Sequence, residues 1–231
     1  MRLFTKEEKK KLFEDQVQCL VKLGFREDIN EKLGIGAFDR YMEKLRDVAT
    51  SEYEEVILSD NYLPFLIIIP EKLVPLSEQI GKIVRSIRLW IGDEVIEVYR
   101  DFPSVYRPEK IVDYVDTPKH PYLLFNVENG SETEGLSIAE AVQAIERKGR
   151  RPLTVTEGIA LYLQKPEVIN YFRALGLLGS RYILDDPEEC IPVLKMYDIG
   201  KDAPHVEISP KRIDYRGNVL VPSCSKKIGD Y

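Results

Sequence analysis

The 231-residue chain has no apolar run long enough to cross a bilayer. Its longest, Leu63 to Ile69, contains Pro64 and falls far short of the roughly 20 residues a spanning helix needs. The start, Met1-Arg2-Leu3-Phe4 followed by Thr5-Lys6-Glu7-Glu8, reads as a polar helix start and lacks the apolar core of a secretion signal. Cysteine is scarce: Cys19, Cys190 and Cys224 are far apart, with no Cys-x-x-Cys pair, which excludes a disulfide framework and a short-spacing zinc site. The expectation is a cytoplasmic protein with three reduced thiols that stays where it is made. No Gly-Lys-Ser or Gly-Lys-Thr occurs, which excludes a conventional nucleotide triphosphatase, and no Gly-x-Ser-x-Gly elbow occurs either. Gly34-Ile35-Gly36 precedes a helix pattern, but no strand leads into it, so it reads as a turn between helices. There is no repeat period and no low-complexity tract.

What is present is ordinary for a folded domain. Hydrophobic residues make up 44% and charged residues 31%, a balance that excludes disorder. A chain of this size buries roughly 70% of its unfolded surface and needs no covalent staple. The formal charge of -6 argues against bulk coating of DNA while leaving room for a local basic patch.

Helical spacing predicts a helix over 5–23, with Leu12, Phe13, Val17, Leu20 and Val21 in one stripe and Gly24 as its stop. Shorter helices over 26–33 and 37–48 complete an N-terminal helical lobe, residues 1–60, and residues 61–231 form an α+β domain. In that domain Leu63 to Ile69 reads as a buried strand, Pro75 to Ile83 as one or two helical turns, and Ile87 to Val98 as a hairpin turning at Gly92-Asp93. Asp101 to Lys119 reads as an irregular connection. The stretch from Pro121 to Arg181 organises the rest. Its apolar run Tyr122 to Val127 is a strand stopped by Glu128-Asn129-Gly130. Ser137-Ile138-Ala139-Glu140 and Thr154-Val155-Thr156-Glu157 are capping boxes that open two helices. Between the helices lies the basic turn Lys148-Gly149-Arg150-Arg151-Pro152. A third short helix starts at Pro166 and buries Ile169, Phe172 and Val168, and a strand follows over Leu177 to Arg181. Ile191 to Tyr197, His205 to Ile208 and Asn218 to Val221 read as further strands on short connections, hence antiparallel neighbours. The predicted class is α+β: an N-terminal helical lobe, then a mainly antiparallel sheet covered by a central helical layer.

Four segments together, Pro121-Tyr122-Leu123-Leu124, the run Gly149 to Leu161, Leu177-Leu178-Gly179-Ser180-Arg181 and Pro222-Ser223-Cys224, resemble a prokaryotic family known only as a domain of unknown function. The similarity spans roughly Leu63 to Lys227 and departs in Ile183 to Glu189 and in Lys201 to Gly217. The resemblance implies no activity, no cofactor and no catalytic residues to carry over.

For chemistry, the sparse candidates are His120, Cys190, His205 and Cys224, none sharing a helical turn; no metal ligand set or catalytic residue is assigned from them. Cys224 lies in Ser223-Cys224-Ser225-Lys226-Lys227, whose two lysines could lower a thiol pKa, although a packed apolar thiol or a surface thiol in a last strand explains it more cheaply. A second patch, Tyr99, Arg100, Phe102, Tyr106 and Arg107, interleaves aromatics with arginines as single-strand binders do, and its Pro103 and Pro108 fit a packed loop. The helix pair is poor as a helix-turn-helix, because its second helix offers Thr156, Glu157 and Gln164 to a groove. That leaves the basic residues. Lys148, Arg150, Arg151, Ser180, Arg181, Lys226 and Lys227 form the expected binding set, suited to a protein or RNA partner by the planar donors of arginine. The leading expectation is a non-catalytic binding module in which Arg150 and Arg151 face the partner and can be reversed in charge without harm to folding. Two alternatives stand beside it: an enzyme with a site assembled from the dispersed His and Cys residues, and a structural partner in a larger assembly through the N-terminal helices.

Overall fold

The computed structural model describes residues 3–51, 59–91, 108–168, 174–183, 190–198, 204–212 and 219–229. Three helices lead, α1 (Lys6–Lys22), α2 (Phe25–Leu33) and α3 (Ala37–Ala49), followed by β1 (Tyr62–Ile68) and α4 (Leu76–Ile91). Next come β2 (Ile111–Asp113), β3 (Tyr122–Glu128), α5 (Ile138–Arg147), β4 (Arg151–Pro152) and α6 (Val155–Gln164). The chain ends with β5 (Ala174–Gly176), β6 (Ser180–Tyr182), β7 (Cys190–Asp198), β8 (Pro204–Arg212), β9 (Val219–Leu220), β10 (Ser223–Cys224) and β11 (Lys226–Ile228).

The fold is α+β, with the N-terminal helices ahead of two mostly antiparallel sheets. One sheet runs β1-β3-β10-β4, with β11 continuing β10 alongside β3; the other runs β2-β6-β7-β5-β9, with β8 on the far side of β7. The exception to antiparallel pairing among the described strands is β5 with β9. Three helices start in complete capping boxes, at Thr5, Ser137 and Thr154, so these boundaries follow from four-residue patterns alone. Helices α1 to α3 share one buried cluster with β1, β3, α4 and α6, whereas α5 packs Ile138, Ala141 and Ile145 against Ile191, Val193 and Val219 in a second. Every residue of α6 from Val155 to Leu163 is buried, as expected of a helix that is apolar nearly all round.

Three expectations change. Ile87, Leu89 and Ile91 belong to α4 and not to a hairpin arm: Leu76, Ile80, Ile83, Ile87 and Ile91 repeat at helical spacing, and that longer pattern prevails over the local alternation. The other arm of that hairpin, the Tyr99 to Arg107 patch, Ile169 and Phe172 lie outside the described residues. The Ile111 to Asp113 segment, expected to be irregular, is an edge strand.

The strand expected over Leu177 to Arg181 is broken in two. Gly176 pairs with Val193 and Tyr182 with Cys190, so six steps on this side answer three on β7, and Leu177-Leu178-Gly179 leaves the ladder as an excursion. This excursion docks on the start of α6. Gly179 N donates to Leu153 O at 2.9 Å and Val155 N donates to Ser180 Oγ at 2.9 Å. Leu177 packs where Gly158 has no side chain. The Leu177 to Arg181 run and the Gly149 to Leu161 run therefore interlock.

Candidate functional site

The basic turn brings its two arginines inward. Arg150 spans two strands: Nη2 donates to Asn126 O at 2.5 Å and to Ser223 O at 2.9 Å, Nε donates to Ser223 Oγ at 2.9 Å, and the guanidinium lies 5.5 Å from the Tyr62 ring centre. Asn126 has a φ of 49° and sits where the β10–β11 strand is interrupted, so Arg150 fills the gap in the ladder. Arg151 meets the fully buried Glu157 with a two-pronged contact, Nη2 to Oε1 at 2.6 Å and Nη1 to Oε2 at 2.9 Å. Glu157 also accepts from Tyr122 Oη at 2.8 Å and from Thr154 N at 2.9 Å. A carboxylate at a capping position is thus also the anchor of a buried ion pair. The fork geometry matches arginine and carboxylate.

Ser180 extends this network. Its hydroxyl donates to Asp113 Oδ1 at 2.5 Å while accepting the first amide of α6. Burial pushes the Asp113 carboxyl up to about 6, against the pull of the Ser180 hydrogen bond, with Glu157 and Glu71 raising it further and Arg151 lowering it. An unfolded aspartate titrates near pH 3.9, so between about pH 4 and pH 6 the folded state holds the extra proton, and stability falls as pH rises through that window. Asp113→Asn is expected to flatten this slope and to gain about 1–3 kcal/mol at pH 7. Urea unfolding at pH 4.5, 6 and 7.5 reads this directly, and an unchanged slope would show that Asp113 carries no excess proton.

The remaining basic residues differ in exposure. Lys148 is exposed and pairs with Glu132 at 2.6 Å. Lys226 lies over Phe125 at 5.4 Å, and Lys227 is its neighbour on β11 opposite Leu124. Arg181 donates through Nη1 to Leu178 O at 2.6 Å and to Ser180 O at 3.1 Å, and its guanidinium lies 4.9 Å from the centre of the Tyr114 ring. The expected binding set is therefore split by the fold into an inward pair, Arg150 and Arg151 with Ser180, and outlying cations.

The candidates for chemistry lie on different elements. His120 Nδ1 hydrogen bonds to Tyr41 Oη at 2.9 Å, with the two rings stacked. Cys224 is buried in the main core beside Arg151 and Glu157, and burial pushes its thiol up to about 12, so it is protonated. Cys190 is buried on β7 in the other sheet, and His205 is a β8 residue opposite Tyr197. Among the described residues no three His, Cys, Asp or Glu side chains form a metal-sized group.

Two features have no counterpart in the sequence analysis. Glu128 is 1% exposed and its Oε2 has no partner among the described residues; a cavity of about 10 Å³, room for one water, opens between it, Arg150, Ser223 and Lys148. The other is on the surface. Of the six exposed large apolar side chains among the described residues, three belong to one two-strand ladder: Val112 (44%), Tyr114 (69%) and Ile183 (51%). Val112 pairs with Arg181, and Ile183 N donates to Lys110 O, so period-two alternation puts Val112, Tyr114, Arg181 and Ile183 on the same face. The alternation of Val112 and Tyr114 around Asp113 was the available signal, hidden by the prolines and charges on either side.

No helix of the described residues is long and apolar enough to cross a membrane. No curated protein and no solved structure matches the chain. A family model does, over residues 20–211, and it is described as a family of unknown function (DUF5701). The match begins inside α1, upstream of Leu63, and ends inside β8, before the Pro222-Ser223-Cys224 run.

Proposed function

For a chain that belongs to the DUF5701 family, we propose a non-catalytic binding module whose partner is a protein. The contact face is the Arg181-Tyr114 side of the β2–β6 ladder. The observation that carries this reading is that Val112, Tyr114 and Ile183 share one face with Arg181, exposed apolar and aromatic side chains side by side with a guanidinium over the ring. Tyrosine and arginine are the residue types that anchor protein interfaces, and an arginine over an aromatic ring is already ordered before a partner arrives. The basic turn supplies the support rather than the surface, since the donors of Arg150 and Arg151 are spent on Asn126, Ser223 and Glu157. A protein partner is favoured over RNA because the exposed ring stands among aliphatic side chains, whereas single-strand binders line a groove with several aromatics and cations.

Capture from native lysate with the full chain as bait, with and without ribonuclease, tests the reading. A protein should be retained after ribonuclease, lost with Tyr114→Ala combined with Arg181→Glu, and kept with Lys148→Glu. Loss on ribonuclease treatment, or loss with Lys148→Glu alone, would move the site to RNA or to the turn.

A further inference from the structure

The two sheets treat their open edges differently. The edge of β1 is covered by side-chain amides: Gln16 donates to Phe65 O at 3.0 Å and accepts from Ile67 N at 2.9 Å, and Gln164 donates to Ile67 O at 2.8 Å. The long strand β8 carries Pro204 and Pro210 in its sequence, residues that cannot extend a ladder. These are the ordinary devices that keep edges from recruiting other chains.

Neither a side-chain amide nor a proline within the strand guards β2 among the described residues. Among the described residues it pairs with β6 alone. Tyr114 N donates to Gly179 O at 2.8 Å and Lys110 O accepts from Ile183 N at 2.7 Å, so residues 110, 112 and 114 turn their main chain toward β6. By the alternation of an antiparallel ladder, Ile111 and Asp113 turn their N–H and C=O groups outward. On the adjoining face, Arg181 uses only Nη1 for its hydrogen bonds among the described residues, leaving Nε and Nη2 to solvent.

We infer that β2 is a docking edge that takes an extended acidic segment of a partner protein as an additional strand. The outward main-chain groups of Ile111 and Asp113 hold the added backbone. Val112, Tyr114 and Ile183 receive its apolar side chains, and Arg181 receives a carboxylate. Strand addition draws affinity from the main chain and selectivity from alternate side chains, which is the division of labour this edge offers. The charge is complementary in one direction: the accessible donors belong to a guanidinium, which two-pronged carboxylate contacts satisfy best. This inference rests on the protein-binding reading above and adds the mode and the chemistry of the partner.

The test uses the isotope-labelled full chain and two synthetic probes, acetyl-(Val-Glu)3-Val-amide and its lysine counterpart, with octauridylate as a third ligand. The acidic peptide is expected to shift the amide resonances of Ile111 and Asp113 and to bind about tenfold more tightly than the lysine peptide. Arg181→Glu should reverse that preference. Tyr114→Ala, at an exposed position that does not threaten the fold, should weaken both peptides several-fold. Equal binding of the two peptides, no shift at millimolar peptide, or shifts from octauridylate alone would each overturn the inference. Failure of both peptides while lysate capture still depends on Tyr114 and Arg181 would leave the binding face standing and remove strand addition. If capture is indifferent to both residues, the binding reading itself falls.

Discussion

Arg151→Met is expected to lower the free energy of unfolding by about 3–5 kcal/mol, because it strips the counter-charge from a carboxylate with no access to water. Glu157 is 0% exposed and takes two hydrogen bonds from Arg151, one from Tyr122 and one from the Thr154 amide. With the guanidinium gone, the last two remain, and the carboxylate must either stay charged in an apolar core or take up a proton. Replacing both partners should cost much less than replacing one. Arg151→Met with Glu157→Gln leaves a neutral amide whose oxygen can accept from Thr154 N while its NH2 donates to Tyr122 Oη, and it isolates the coupling. Urea denaturation of the two single variants and the double variant measures it. A loss below about 1 kcal/mol for Arg151→Met would mean that the pair behaves like an exposed surface bridge. The same geometry corrects the sequence-level expectation that Arg150 and Arg151 could be reversed in charge with folding intact: a glutamate at 151 would face Glu157 directly.

Gly179→Ala is expected to cost about 3 kcal/mol, near the upper end for overpacking, because the added carbon meets backbone that cannot rotate away. A Cβ there would lie 2.7 Å from Leu153 C, 2.8 Å from Leu153 O and 2.8 Å from Thr154 N. Relief requires the Leu177-Leu178-Gly179 excursion to lift from α6. That movement would break the Gly179 to Leu153 bond and pull Ser180 away from both Val155 N and Asp113. Gly149 is the control. It has a φ of 64° with open space around it, so Gly149→Ala should show only the cost of a left-handed alanine, about 1 kcal/mol. Equal midpoints for the two variants in urea would refute the close-approach account.

The two predictions concern residues whose roles were unequally legible in the chain. Glu157 was identified from the spacing Thr154-x-x-Glu157, and its capping role is as read, with Thr154 Oγ1 accepting from Glu157 N at 3.3 Å. Its second role as the partner of Arg151 could not be read, since six residues separate the two across a strand-to-helix corner. Gly179 belonged to a recognisable run that reads as one continuous strand, and only the register against β7 exposes the excursion. The Val112-Tyr114 face was obscured in another way. A three-residue strand has too few alternations to stand out against Pro108, Pro118 and the charges between them.

The sequence by itself determined what depends on neighbours along the chain. The three N-terminal helices, the capping boxes at Ser137 and Thr154, the apolar strands at Leu63 and Tyr122, and the α+β class all follow from spacing and local hydrogen bonding. Only the tertiary structure decided which polar groups are spent inside and which are left to bind. Arg150 and Arg181 are the same residue type. One is drawn into the gap opposite Asn126 because β3 and β10 pass on either side of it, while the other lies over Tyr114 on an open edge. Charge and residue type are local properties. Whether a donor meets a carbonyl or water depends on strands brought together from distant parts of the chain, and one sequence carries no record of those distances.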